Sequence, residues 1–186
     1  MKTREDALSL LQQYNGSALV IHSLAVEGVM RYMARKEGAD EEMWGMVGLL
    51  HDLDYEQFPN EHCHKSALIL RENGYSEEII RAVMSHGWEI CTDVEPQSRM
   101  EKTLYAVDEL SGLITACALV RPSRSVMDLE LSSAKKKFKD ARFAAGANRD
   151  VILKGAAMLG SEIDALIIDV IAAMREIAPS LGLEMK

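Results

Sequence analysis

Apolar residues recur at helical spacing along nearly the whole chain, in blocks separated by short polar stretches that carry turn and cap residues. Thr3 is placed to cap a first helix that runs to about Tyr14 and stops at Asn15-Gly16. A second runs from near Ser17 to about Glu37, with Gly38 as its terminator. Asp40 caps a third, EEMWGMVGLLHD, which gives way to a polar loop with Pro59 and Asn60. A fourth is predicted from about Glu61 to Glu72, ending at Asn73-Gly74, and Ser76 caps a fifth whose face of Ile79, Ala82 and Val83 leads to His86. After a loop from Gly87 to Gln97, Ser98 opens a long helix to about Val120, which Arg121-Pro122 breaks. Three shorter helices complete the prediction, at about 126–139, at about 149–159 capped by Asn148, and at about 161–178 capped by Ser161.

Composition sharpens this pattern into a class. The chain of 186 residues is 48% apolar but only 5% aromatic, with 11 methionines and few Val-Ile-Thr runs, so an all-α single domain spanning 1–186 is expected. No repeat or linker interrupts it, and Met30, Met33, Met43, Met46 and Met84 suit core filling. The three cysteines are an odd number at irregular spacing, and the amino terminus MKTREDALSLLQQY is amphipathic and charged rather than signal-like, which points to a reduced, cytoplasmic protein. No apolar run reaches the roughly 18–20 residues of a bilayer span, so no membrane partner is expected.

Charge changes the picture locally. The net charge is −8, and residues 40–110 hold 16 Asp or Glu against 5 Lys or Arg. Such a field attracts divalent cations and disfavours duplex nucleic acid, whose binding rests largely on Lys and Arg at phosphates.

The same acidic stretch holds most of the candidate chemistry. His22, His51, Asp52, His62, His86 and Asp108 all fall inside or at the edge of helix-patterned apolar segments. An ionisable side chain on an inward face must be hydrogen-bonded, paired or bound to a metal. Ala18, Leu19, Ala25, Val26 and Val29 surround His22 at helical spacing, which predicts a buried imidazole, while Leu104, Asp108, Ser111 and Thr115 share one face of the long helix. Adjacent residues on a helix point about 100° apart, so His51 and Asp52 reach one ion only from a helix end, where the pattern puts them. Imidazole nitrogen with carboxylate oxygen suits Mn, Fe, Co, Ni or Zn, with Mg also open, and a set of two His and two Asp leaves positions for water and substrate.

In this order, a helix with His22, then His51-Asp52, then Asp108, the chain resembles the HD superfamily of metal-dependent phosphohydrolases. The stretch HCHKSALILRENGYSEEIIRAVMSHG further resembles the HDIG-type subset, with His62, Ser66, Ile69-Leu70, Gly74 and His86 in register. Two departures stand out: HDLD replaces HDIG, and Gly87 occupies the place where a second His is usual. The resemblance covers about 17–120 and leaves 121–186 as a helical extension. It implies that His22, His51, Asp52 and Asp108 hold a primary metal, that His62 and His86 serve a second metal or the substrate phosphate, and that Asp52 bridges the two. It also implies in-line attack of water on phosphorus, the water oriented by Asp108, Asp54 or Glu56 and the leaving oxygen protonated by His86 or His64.

Three further features have alternative readings. Lys135, Lys136, Lys137, Lys139 and Arg142, with Arg121 and Arg124, form either a solvated face or a rim that gathers phosphate, in which Arg121, Lys135 and Arg142 would bind substrate. The triplet His62-Cys63-His64 matches no standard zinc spacing, and residues at i and i+2 of a helix point to nearly opposite faces, so a zinc site there is not expected. Trp88 either stacks on a nucleobase or packs over its loop. The expected activity is hydrolysis of a small phosphorylated substrate, a nucleotide for instance, as a phosphomonoesterase or phosphodiesterase. The alternative is a regulatory domain that binds metal and nucleotide without turnover.

Overall fold

The structure is a computed structural model that describes residues 2–185; Met1 and Lys186, which close the expected span, lie outside it. Ten α-helices and no β-strand occur among the described residues. They are α1 (Arg4–Tyr14), α2 (Ser17–Glu37), α3 (Glu41–Leu50), α4 (His64–Glu72), α5 (Glu77–Ser85), α6 (Arg99–Leu119), α7 (Leu131–Lys139), α8 (Arg149–Leu159), α9 (Ile163–Glu176) and α10 (Ala178–Leu181). The caps read from the sequence form as hydrogen bonds: Thr3 and Ser98 make reciprocal capping boxes with Asp6 and Glu101, while Asp40, Ser76 and Asn148 cap α3, α5 and α8.

Two apolar clusters form the interior. The larger joins α2 and α6 to α8, α9 and the chain end, through Val29, Met30, Leu104, Leu110, Ile114, Ile152, Ile167, Val170 and Leu183. The smaller packs α1, α3, α4 and α5 through Leu11, Leu49, Leu50, Leu70 and Ile80. Leu24 and Ile79 touch both. Residues beyond 120 therefore share the α2–α6 core. At Gly155 of α8 a Cβ would lie 2.5 Å from Cα of Ala106, so α8 approaches α6 as closely as backbone allows.

Three predicted boundaries shift, each for a local reason. The expected helix from Glu61 begins instead at His64, after a 3-10 turn over Pro59–Glu61, because Cys63 takes φ 67 and ψ −46. The helix expected from 126 begins at Leu131: Arg175 takes the carbonyls of Val126 and Leu129, and the Val126 amide donates to Leu183. Ser161 does not cap α9, since its amide closes the end of α8 on the Ala156 carbonyl after Gly160 turns left-handed, and Glu162 opens the next helix.

Candidate metal centre

Three element ends and two long helices bring six side chains together. Helix α3 stops at Leu50 with His51 as its cap, and His51 and Asp52 open the turn that follows with both side chains buried. Buried Asn15 pins the segment that follows, donating to the Leu53 carbonyl at 2.8 Å and accepting from the Glu56 amide. His86 caps α5 in the same way, His62 closes the 3-10 turn, and His22 and Asp108 project from the middles of α2 and α6. His22 is not buried as expected; its side chain keeps 25% of its exposure because it faces a cavity rather than the core.

The donor atoms form two groups that share one carboxylate. Nε2 of His22 lies 3.0 Å from Oδ1 of Asp108 and 3.3 Å from Nε2 of His51, which is itself 3.2 Å from Asp108 Oδ1 and 3.3 Å from Oδ2 of Asp52. On the other side Oδ1 of Asp52 lies 3.4 Å from Nε2 of His86 and 3.5 Å from Nε2 of His62, and those two nitrogens are 3.2 Å apart. Donors held at about 2.0–2.2 Å from one ion are about 2.9–3.5 Å apart, so both groups have the dimensions of a coordination shell.

Hydrogen bonds to the far ring nitrogens settle which atoms face inward. His51 Nδ1–H donates to the Gly48 carbonyl at 2.8 Å, His86 Nδ1–H to the Val83 carbonyl, and His62 Nδ1–H to Oδ1 of Asp54 at 2.7 Å. In the neutral rings the Nε2 lone pairs then converge on each other, an arrangement that a cation relieves. Burial resists the imidazolium at His51, but Asp52 and Asp108 outweigh it and hold the group well above its usual value. Burial likewise opposes the Asp52 and Asp108 charges, yet the facing imidazoles hold both carboxyls well below the usual range. The donor set thus fits a divalent cation in each group.

Asp54 stands one step behind. It is fully buried, and its second oxygen accepts the Ser66 amide at 2.7 Å. Burial opposes its charge, but His62 and Ser66 hold its carboxyl below the usual range. The expectation that Asp54 orients water is corrected accordingly: both oxygens are occupied and none faces the cavity, so it orients His62. Glu56 accepts from the Gly16 amide at 2.6 Å, and His64 bonds the Cys91 carbonyl. Neither lines the cavity, and His86 has one nitrogen on the Val83 carbonyl and the other in the donor group, so the expected water and proton roles of these residues are not met in this arrangement.

The donors open on a cavity of about 460 Å³, walled by Tyr55, Gly87, Ile90, Cys91, Glu109 and Gly112, and by Ala144, Gly146, Ala147 and Val151 of the extension. Arg121, Lys135 and Arg142 are not part of it, which corrects their expected role at the rim. Arg121 forks onto Asp128, Lys135 pairs with Asp164 at 2.5 Å, and Arg142 is fully solvated beside Asp140. No Lys or Arg lines the cavity among the described residues. Trp88 also lies outside it, packed between Tyr105 and the Lys154 ammonium.

Several wall residues had no signal in the sequence pattern. The extension beyond 120 contributes the loop at 140–147, held from below by Arg149, whose guanidinium donates to the carbonyls of Ala144 and Ala147 at 2.6 Å and to that of Phe143. Glu109 ties this loop to α6 by accepting the Asn148 amide at 3.2 Å, and burial followed by the Asp108 charge pushes its carboxyl up. Adjacency to Asp108 was the only trace of Glu109 in the sequence.

An all-α bundle that converges four His and two Asp on paired donor groups is of the class of helical proteins with a candidate metal centre at the core of the bundle. The chain matches the HD domain family over residues 19–113 and belongs to it. Members of that family bind divalent metals and are usually metal-dependent hydrolases. Among curated proteins it is similar to Ribonuclease Y of Desulfotalea psychrophila, 28% identical over 173 residues that cover 89% of this chain and 31% of the relative. The chain therefore spans about a third of that protein's length. No solved structure matches the chain significantly. No helix among the described residues is long and apolar enough to cross a membrane.

Proposed function

We propose that this protein is a metal-dependent phosphohydrolase acting on a small phosphorylated substrate of the nucleotide kind, as a phosphomonoesterase or phosphodiesterase. The observation that carries the reading is Asp52, whose two oxygens face two separate sets of imidazole donors at 3.3–3.7 Å and 3.4–3.5 Å at the floor of one cavity. Two cations held on one carboxylate would suit the attacking and leaving oxygens of an in-line displacement. The HDIG-type register from His62 to His86 and the ribonuclease name of the relative both favour a phosphoester substrate.

Bound cations would polarise the phosphoryl oxygens and bring the pKa of a water toward neutrality. The protein's own part is positional. His22, His51 and Asp108 would hold one cation, His62 and His86 the other, and Asp52 both. Asp108, whose side chain is more open to the cavity than that of Asp52, would orient the attacking water. Tyr55, Ile90, Ala144 and Ala147 would limit water access around the substrate.

A second reading, a regulatory domain that binds metal and nucleotide without turnover, is favoured by the lack of any cationic side chain on the described cavity wall. Elemental analysis of protein purified without chelator, paired with a phosphatase and phosphodiesterase screen, separates the two. About one or two transition-metal ions per chain, lost in Asp52→Ala, with metal-dependent turnover are expected for the hydrolase. Metal and nucleotide binding without product would establish the regulator; no metal after reconstitution with Mn, Fe, Co, Ni, Zn or Mg would remove both.

A further inference from the structure

We propose that Cys63 is a sulfur ligand of the second cation position, beside His62 and His86, so that this position takes a soft divalent ion, zinc above all, in preference to magnesium or calcium. The inference rests on the reading of the cavity as a metal centre and adds to it the identity of one ligand and of the preferred ion.

The argument begins at the backbone of residue 63. A φ of 67 with ψ −46 is a conformation that non-glycine residues rarely adopt, and its effect is to turn a side chain of the expected helix start into the interior. The His62-Cys63-His64 triplet therefore does not follow helical geometry. His62 and Cys63 both face the cluster, and only His64 turns outward to the Cys91 carbonyl. Cys63 is fully buried, and donor atoms of His62, Cys63 and His86 all lie within 4.8 Å of one another.

The two imidazole nitrogens are spaced for one ion, and the sulfur stands close beside them. Nε2 of His62 and Nε2 of His86 are 3.2 Å apart, and Sγ of Cys63 is 3.9 Å from Nε2 of His86. With zinc–nitrogen bonds of about 2.0–2.1 Å and zinc–sulfur bonds of about 2.3 Å, tetrahedral edges are about 3.3 Å between nitrogens and about 3.6 Å from nitrogen to sulfur. Sγ lies equally 3.9 Å from Nδ1 of His86, so the sulfur sits beside that ring, and a turn of the Cys63 side chain toward the Nε2 edge would bring it onto the ion that His62 and His86 share.

Gly87 makes room for the sulfur. A Cβ at that position would lie 2.7 Å from Sγ of Cys63 and 2.5 Å from Sγ of Cys91, so the space beside His86 that a side chain of residue 87 would fill is taken by two sulfur atoms. Cys91, 3.3 Å from Cys63 and on the cavity wall, backs the ligand from the solvent side. A thiolate among nitrogen donors selects zinc and its chemical relatives over hard cations, which prefer oxygen.

Cobalt(II) added to metal-free, thiol-reduced protein tests this by absorption. Two ions should bind per chain, with a thiolate-to-cobalt charge-transfer band in the near ultraviolet that accompanies one of them. Cys63→Ser should abolish the band while the visible d–d bands of the first ion persist, and Cys91→Ser should retain it. Excess magnesium should not displace zinc from the second position. Cobalt bound without the band, or a band lost only in Cys91→Ser, would overturn the assignment while leaving the metal centre standing. No cobalt bound at all, in protein whose circular dichroism shows it folded, would overturn the metal centre and this ligand with it.

Discussion

Oδ1 of Asp54 lies 2.7 Å from Nδ1 of His62, and this contact aims the other ring nitrogen at Asp52 and His86. Asp54→Asn keeps the volume but removes the charge that favours the Nδ1–H tautomer. The affinity of the His62–His86 position for its cation is expected to fall about 10–100-fold, while the position formed by His22, His51 and Asp108 keeps its ion. A competition titration against a chromophoric chelator reads both positions; equal affinities in variant and parent would show that His62 is oriented by something else.

Metal binding should release protons. The Asp52 and Asp108 carboxylates outweigh the burial that resists charge at His51, so in metal-free protein this imidazole keeps its proton to a pH well above the usual one. A cation needs the Nε2 lone pair and must displace that proton. Affinity at the first position is therefore expected to weaken as pH falls through the raised His51 value and to be complete above it. Calorimetry in two buffers of different ionisation enthalpy should report about one proton released with the first ion; buffer-independent heats would contradict the assignment.

Surface cations should divide by position rather than by charge. Arg121→Ala, Lys135→Ala and Arg142→Ala are expected to leave turnover within about twofold, since these side chains pair with exposed carboxylates away from the cavity. Arg149→Ala should instead free the loop at 140–147, whose carbonyls it binds. Protease cleavage within that loop should rise, and KM should rise more than kcat falls; a variant as resistant as the parent would show that the loop holds itself.

Gly155→Ala tests the contact that seats the extension. In an isolated helix alanine is the better residue by about 0.5–1 kcal/mol. Here its methyl would meet the Ala106 backbone at 2.5–3.0 Å, so a net loss of about 1–3 kcal/mol is expected from overpacking. Chemical denaturation gives the sign directly, and a stabilised variant would mean that α6 and α8 separate at little cost.

Much of this fold was legible along the chain because helix boundaries are local events. Thr3, Asp40, Ser76, Ser98 and Asn148 cap through bonds to amides two or three residues away, so their sequence context was sufficient. The boundaries that moved, at His64, Leu131 and Ile163, each answered to something outside that window. The causes were the turn at Cys63, the reach of Arg175 across 46 residues to the Leu129 carbonyl, and the closure of α8 over Ser161.

The sequence by itself determined the all-α class, most helix ends and the six side chains that converge, because periodicity and caps are short-range and an ionisable group on an apolar face announces a partner. Tertiary structure alone decided how those six are divided. That Asp52 faces two ways, that Asp54 serves His62 rather than the cavity, that Cys63 turns inward, and that Arg121, Lys135 and Arg142 do not reach the cavity all depend on the packing of helices distant in sequence. Distances of a few ångströms between such helices are set by close contacts like Gly155 on Ala106, which no local pattern encodes.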